Sequence, residues 1–94
     1  MSARIAVQAR ITGRVQGVYY RAWCREEAER RGLSGWVRNE SDGSVSAHFV
    51  GDASAVAAMI DACGRGPVDA RVVSVDTHEV QVQDGDTAGF EIRR

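Results

Sequence analysis

Residues 5–39 read IAVQARITGRVQGVYYRAWCREEAERRGLSGWVRN and carry the signals of a strand, a loop, a helix and a second strand. Four apolar residues near the start recur at every second position: Ile5, Val7, Ala9 and Ile11. This period predicts a strand with one buried face. Helix-forming residues follow at 21–31, with two Glu-to-Arg pairs four residues apart and a glycine, Gly32, placed to end the helix. Residues 33–39 are predicted to form the second strand.

The sequence after Asn39 predicts a hairpin and a second helix. The Asp42-Gly43 pair is typical of a hairpin turn, and Val45, Ala47 and Phe49 would share one face of a third strand. An apolar helical stripe then follows, at positions i, i+3, i+4 and i+7: Val56, Met59, Ile60 and Cys63. We expect Asp52 or Ser54 to cap this helix and Gly64 to end it.

Two further strands are predicted at the end of the chain. Val73, Val75 and Thr77 alternate, and the parity of the apolar positions changes before Val80, so we expect a bulge or a turn near His78. Residues 90–92 form a short last strand after the loop at 84–86.

The predicted order of elements defines the fold class. Strand, helix, strand, strand, helix and strand, with a short extra C-terminal strand, is the split βαβ order (βαββαβ) of ferredoxin-like α+β sandwiches. We expect an antiparallel sheet with both helices on one face. The 94 residues are predicted to form a single domain, residues 1–94.

Composition narrows the class of protein further. With 44% hydrophobic and 27% charged residues, the chain has the balance of a globular protein, and no apolar run approaches the roughly 20 residues that a membrane span needs. We therefore expect a cytoplasmic protein with no membrane contact. The two cysteines, Cys24 and Cys63, lack the spacing of a zinc site and are predicted to be reduced packing residues, and the isolated His48 and His78 are not expected to be catalytic.

Charge is distributed unevenly along the chain, and all 12 basic residues are arginines. Residues 1–39 carry a net charge of +5 and residues 40–94 carry −6, which gives the total of −1. Guanidinium groups match phosphate oxygens in pairs, so the first half favours an anionic ligand, although a general preference for arginine over lysine would give the same composition.

Topology predicts where such a ligand would bind. A right-handed crossover between the first two strands brings their carboxyl ends to one edge of the sheet, so the loop from Gly13 to Arg21 should lie close to Asn39. Backbone amides just before a helix favour an oxyanion, and Gly13 and Gly17 allow the loop to curl inward. This pattern indicates a phosphate or carboxylate cradle, and the alternative is that the loop is only a connection.

Two motifs carry a sharper resemblance. The stretch GRVQGVYYR, residues 13–21, and the stretch GLSGWVRN, residues 32–39, followed by Asp42-Gly43, resemble the two motifs of the acylphosphatase family. Gly51, Gly66-Pro67 and the ending FEIR match the family's layout as well, so the resemblance covers nearly the whole chain. Tyr20 stands where the family usually has phenylalanine, and Ser46 where it often has glutamate.

The resemblance implies a metal-independent hydrolase that splits acyl phosphates into a carboxylate and inorganic phosphate, with phosphate as both product and inhibitor. Arg21 would hold the phosphoryl group and Asn39 would orient the attacking water. The phosphate-binding loop would comprise Arg14, Val15, Gln16, Gly17, Val18, Tyr19 and Tyr20. No cofactor, metal or nucleic acid is implied, and we expect a monomer. A carboxylate with a conjugate-acid pKa of roughly 4 leaves without a general acid, which fits a site without one.

Two other functions remain as alternatives. The chain could be a phosphate-binding module, like the acylphosphatase-like domain that handles carbamoyl phosphate in larger hydrogenase-maturation proteins. It could also bind single-stranded RNA on an open sheet face, as RNA-recognition domains of the same element order do. The outward positions of the third strand, Ser44, Ser46 and His48, offer no aromatic pair for stacking, and the net charge of −1 does not favour nucleic acid.

Overall fold

A computed structural model describes residues 3–87 and 89–94. The strands and helices follow the predicted order, with one short 3-10 turn between the last two strands. Their bounds along the chain are β1 (Arg4–Arg14), α1 (Tyr20–Arg30), β2 (Ser34–Asn39), β3 (Val45–Asp52), α2 (Ala53–Arg65), β4 (Arg71–Val80), the 3-10 turn (Asp84–Thr87) and β5 (Phe90–Arg93).

One five-stranded sheet has the order β4-β1-β3-β2-β5. β1 lies between β3 and β4 and is antiparallel to both, and β2 is antiparallel to β3. β1 and β2 therefore run in the same direction on either side of β3, as the split βαβ arrangement requires. The predicted ferredoxin-like fold is confirmed. The extra strand β5 adds to the free edge of β2 in parallel, so this edge departs from the antiparallel sheet that the sequence predicted.

The core lies between the sheet and the two helices. Ile11, Val37 and Phe49 from the three central strands are fully buried, and they share one apolar cluster with Cys24 of α1 and Met59 of α2. Phe49 also stacks on Phe90 of β5, with ring centroids 5.7 Å apart. This contact joins the short last strand to the core. None of the helices in residues 3–87 and 89–94 is long and apolar enough to cross a membrane.

The ends of α2 differ from the sequence prediction. The helix continues through Gly64 to Arg65, and Gly66, with φ 67°, takes the position after the last turn. Asp52 is the N-cap residue, as expected of one of the two candidates, but its side chain makes no capping hydrogen bond, and Ser54 lies inside the first turn. Gly66 ends the helix because a positive φ is easily adopted by glycine, whereas Gly64 keeps an ordinary helical conformation.

The irregularity in β4 also lies elsewhere than predicted. Thr12 pairs with Ser74 and Gly13 with Val72, so Val73 is the extra residue, and its side chain is 80% exposed. The pairing through His78 is regular. The prediction of a bulge near His78 was wrong because β4 is an edge strand that is largely exposed beyond Val75, where the alternation of apolar residues does not report which face is buried.

Candidate active site

The loop between β1 and α1 meets the end of β2 at one edge of the sheet, as the crossover predicted. A concave pocket of about 750 Å³ opens there. Nine residues line it: Val15, Gly17, Tyr19, Tyr20, Arg21, Ala22, Asn39, Ile92 and Arg94. Arg21 and Asn39, which sequence reasoning placed together, lie in the same pocket, and its lining residues include no carboxylate, imidazole or thiol side chain.

Side chains of the loop hold it against the rest of the protein. Val15 and Val18 are buried and belong to the core cluster. Gln16 reaches the hairpin between β2 and β3, where its Nε2 donates hydrogen bonds to the carbonyl oxygens of Glu40 and Ser44, each at 2.8 Å. The loop is therefore fixed to the turn that directly follows Asn39.

Backbone amides in this loop have no acceptor from the protein. Within the described residues, the N–H groups from Val15 to Ala22 donate to no backbone or side-chain atom, and the first helical bond is from Trp23 to the carbonyl of Tyr19. α1 also has no capping side chain and no acidic residue in its first turn. Consecutive unpaired amides at the positive end of a helix form a binding site for an anion.

Tyr19 gives the loop its unusual geometry. It has φ 64° and ψ 23°, and it is the one non-glycine residue with a positive φ in the part of the chain that the structure describes. Gly17, two residues earlier, has φ 74°. A left-handed conformation at both residues turns the chain sharply between the buried Val15 and the buried Tyr20, and turns of this kind are the geometry in which successive amides form an anion-binding concavity.

Arg21 is a half-buried residue at the second position of α1. Among the described residues it makes no salt bridge and no side-chain hydrogen bond, whereas Arg10, Arg38 and Arg93 each pair with a carboxylate. Its guanidinium therefore has its donors free beside the unpaired amides. Together the two features create a positive potential in the pocket.

Asn39 ends β2 and carries an unsatisfied polar atom. Its Oδ1 is buried without a hydrogen-bond partner, the one such atom among the side chains that the structure describes. Buried acceptors are nearly always paired, because leaving one without a donor costs about 1–3 kcal/mol. Asn39 also lines the pocket, so a rotation of its side-chain amide would turn this oxygen toward a water molecule there.

Ile92 of β5 and Arg94, directly after it, are two pocket residues that the sequence did not predict. The parallel register of β5 pairs Val37 with Ile92 and Arg38 with Arg93, so Arg94 follows beside Asn39 and both line the pocket. No pattern in the sequence indicates which strand edge β5 joins, because a four-residue strand has too few positions to show its partner. Arg94 therefore could not be placed near Arg21.

The contacts of Tyr20 show what its hydroxyl does at a position where the acylphosphatase motif usually has phenylalanine. Its ring is buried, and its hydroxyl donates a 2.7 Å hydrogen bond to the carbonyl of Cys63 in the last turn of α2. Burial is the main cause that raises the pKa of Tyr20 far above its ordinary value, with the neighbouring Cys63 adding to it. The hydroxyl that phenylalanine would lack thus ties the start of α1 to the end of α2.

Other residues singled out from the sequence lie outside the pocket lining. Arg14 is exposed at the end of β1, where it pairs with Arg71 of β4. Cys24 and Cys63 are free and fully buried, and a hydrogen bond with the Cys63 thiol, together with burial, raises the pKa of the Cys24 thiol. The hydrogen bond with Cys24 lowers the pKa of the Cys63 thiol, but both thiols are fully buried and neither lines the pocket, which is the environment of packing residues.

The two histidines lie on strands of the sheet, His48 on β3 and His78 on β4. His48 is buried, with Nε2 3.1 Å from Asp86 Oδ1, and it stacks on Trp36. The guanidinium groups of Arg38 and Arg93 lie 4.8 Å and 5.0 Å from the Trp36 ring centre. Neighbouring side chains therefore already cover the Trp36 ring. His78, in contrast to His48, is exposed. Neither histidine lines the pocket.

By its fold and pocket this is a ferredoxin-like α+β domain that presents unpaired loop amides and a free guanidinium at one sheet edge, the features of a domain with a site suited to an anion. Comparison with known proteins defines the class more closely. The acylphosphatase family model matches residues 7–92. The chain belongs to the acylphosphatase family.

Individual relatives support this assignment over almost the full chain. An acylphosphatase of Rhizobium meliloti is 54% identical over 91 residues, which cover 97% of this chain and 95% of the relative. The structure of an acylphosphatase from Coxiella burnetii is similar with a TM-score of 0.91 at 31% identity, covering 96% of this chain and 93% of the other. Full-length HypF, in its phosphate- and nucleotide-bound form, contains a similar fold with a TM-score of 0.85 at 23% identity, in 12% of its chain.

Proposed function

We propose that this protein hydrolyses the carboxyl–phosphate bond of acyl phosphates without a metal ion, releasing a carboxylate and inorganic phosphate. Arg21 and the amides of the loop bind the phosphoryl group, and Asn39 positions the attacking water. The observation that carries the proposal is that unpaired amides from Val15 to Ala22, the free guanidinium of Arg21 and the side chain of Asn39 meet at one pocket.

The bound phosphoryl group is an anion whose negative charge is distributed over its oxygens. Transfer to water passes through a transition state whose three equatorial oxygens carry the charge, so fixed donors around those oxygens accelerate the reaction. The amides supply several donors at the helix N-terminus, and Arg21 adds a planar pair. Because Gln16 fixes the loop to the hairpin, the donors need little reorganisation when the substrate binds.

Water is the nucleophile in this proposal. Asn39 Oδ1 accepts a hydrogen bond from one O–H group of the water. This contact orients the water so that a lone pair of the water oxygen points at phosphorus, in line with the leaving carboxylate. No lining residue is a base near neutral pH, so the other proton passes to a phosphoryl oxygen of the substrate. The carboxylate leaves unprotonated because it is a weak base, with a conjugate-acid pKa of roughly 4, and so neither a general acid nor a metal is needed.

A turnover assay tests the proposal. The purified protein should release phosphate from acetyl phosphate and benzoyl phosphate with EDTA present, and should act poorly on the monoester p-nitrophenyl phosphate. Activity that disappears with EDTA and returns with magnesium or zinc would refute the metal-free mechanism. Saturable phosphate binding without any turnover would favour a phosphate-binding module instead.

Arg21→Gln tests the phosphoryl contact, with Arg25→Gln as the matched control on the exposed side of the same helix. A charge pair at about 4 Å and an effective dielectric constant of about 20 is worth about 4 kcal/mol, which corresponds to a loss of about a thousandfold in kcat/KM. We expect KM to rise and kcat to fall together in Arg21→Gln, with incomplete recovery in Arg21→Lys. Equal losses in the two glutamine variants would remove Arg21 from the mechanism.

A further inference from the structure

Tyr19 combines two unfavourable features at the mouth of the pocket. Its backbone is left-handed, a conformation that costs a non-glycine residue free energy and that glycine adopts freely. Its aromatic side chain is 84% exposed. The flanking Val18 and Tyr20 are buried in the core cluster, so they fix the backbone at this position without any help from the Tyr19 ring.

The protein's own packing therefore does not explain a tyrosine here. Strained backbone that persists at a functional site points to a role in binding or catalysis, and an exposed aromatic ring is a surface on which a ligand can pack. Tyr19 lines the same pocket as Arg21 and Asn39, with the half-buried Ile92 of β5 among the other lining residues.

The pocket also has more room than a phosphoryl group fills. Its volume of about 750 Å³ is within the range of about 300–1,000 Å³ that accommodates drug-sized ligands. Among its larger apolar lining residues, Val15 and Tyr20 are buried in the core, whereas the Tyr19 ring is exposed and Ile92 is half-buried, so these two offer apolar surface to a substrate whose phosphoryl group binds the loop amides.

We propose that Tyr19 is a specificity-determining residue, whose ring packs against the acyl group of the substrate and favours planar, aromatic acyl phosphates over small aliphatic ones. This inference rests on the proposed hydrolysis of acyl phosphates and adds to it which acyl groups are preferred. An aromatic contact of this kind changes affinity by about tenfold.

Three variants separate the ring from the backbone. Tyr19→Gly removes the ring and relieves the left-handed strain, Tyr19→Phe keeps the ring and loses only the hydroxyl, and Val68→Gly removes an apolar side chain that is 89% exposed outside the pocket. We expect the ratio of kcat/KM for benzoyl phosphate to that for acetyl phosphate to fall about tenfold in Tyr19→Gly and to stay within about twofold in the other two. The melting temperature of Tyr19→Gly should be unchanged or higher, because glycine adopts a positive φ without strain.

Calorimetric titration with benzoylphosphonate and acetylphosphonate, stable analogues that are not hydrolysed, gives the same comparison without turnover. Tighter binding of the benzoyl analogue that is lost in Tyr19→Gly supports the proposal even if the chain hydrolyses neither substrate, which separates its failure from that of the proposed function. An unchanged preference in Tyr19→Gly would overturn it. So would an equal loss for both analogues, because Tyr19 would then act only on the phosphoryl contacts of the loop.

Discussion

Asn39→Ala should separate stability from activity in this protein. Most substitutions of a half-buried side chain destabilise the fold. Here the replaced side chain carries a buried oxygen without a partner, and in the described residues its amide nitrogen makes no hydrogen bond either. Alanine therefore removes a cost along with the amide, and the only loss to the fold is the packing of a few atoms.

The structure sets the size of each effect. An unsatisfied buried acceptor costs about 1–3 kcal/mol, and the packing lost on truncation to alanine offsets part of the gain from removing it. We expect the free energy of unfolding of Asn39→Ala to be unchanged or to rise by up to about 1 kcal/mol, a rise in melting temperature of up to about 4–8 °C for a domain of this size. The value of kcat should fall by about 100- to 1,000-fold, because the nucleophilic water loses its fixed position.

Urea unfolding measures the stability of Asn39→Ala, and benzoyl phosphate turnover measures its kcat. Inhibition by inorganic phosphate reports the phosphoryl contacts, and the inhibition constant should stay within about twofold of the unsubstituted protein's value. Ser41→Ala, at an exposed position in the following turn, is the matched control and should change none of the three. A loss of more than about 2 kcal/mol in stability together with lost phosphate binding would show that Asn39 is structural and contradict the reasoning. Retained kcat would mean that another group positions the water.

Three further predictions concern the contacts around the site. Tyr20→Phe should lower the free energy of unfolding by about 1 kcal/mol in thermal denaturation, because a buried carbonyl of α2 loses its donor, while kcat stays within a few fold. Gln16→Ala should raise the inhibition constant of inorganic phosphate about tenfold and speed hydrogen exchange in the loop, and unchanged values would mean that the loop is held by its buried valines alone. Hydrogen bonds from Ser44, with help from Arg10, hold the pKa of Asp42 below its ordinary range. The contribution of the Asp42 carboxylate to folding stability is therefore present above about pH 4 and is lost as the pH falls through the lowered pKa. Asp42→Asn should weaken the fall in stability on acidification, and a steeper fall would contradict the assignment.

Periodicity predicted the elements whose buried faces are continuous. The stripe of α2 proved to be core at Val56, Met59 and Cys63, because these residues pack against a complete neighbouring layer. For the same reason the alternation in β1 matched its buried face at Val7, Ala9 and Ile11, while Ile5 is only partly buried. β4 is the counterexample, since the exposed edge strand places no such demand on its sequence, and the bulge at Val73 left no readable signal.

The site was predictable where topology alone positions residues. The crossover brings Arg21 and Asn39 to one edge whatever the side chains between them do. The role of Gln16 was not predictable in this way, because its contacts span 24 and 28 residues and depend on the shape of the hairpin. Tyr19 likewise gave no sign of its left-handed backbone, since tyrosine rarely adopts that conformation and the motif alone does not report a dihedral angle.

The two hydrogen bonds from Gln16 to the hairpin bear on any attempt to transplant this cradle into another scaffold. A designer who copied only residues 15–21 would move the amides and leave behind the carbonyls of Glu40 and Ser44, which hold them. The smallest portable unit is therefore the loop together with the turn after β2, two segments distant in sequence. If an engineered sheet receives the loop without the turn, the loop should be flexible and should bind phosphate only weakly.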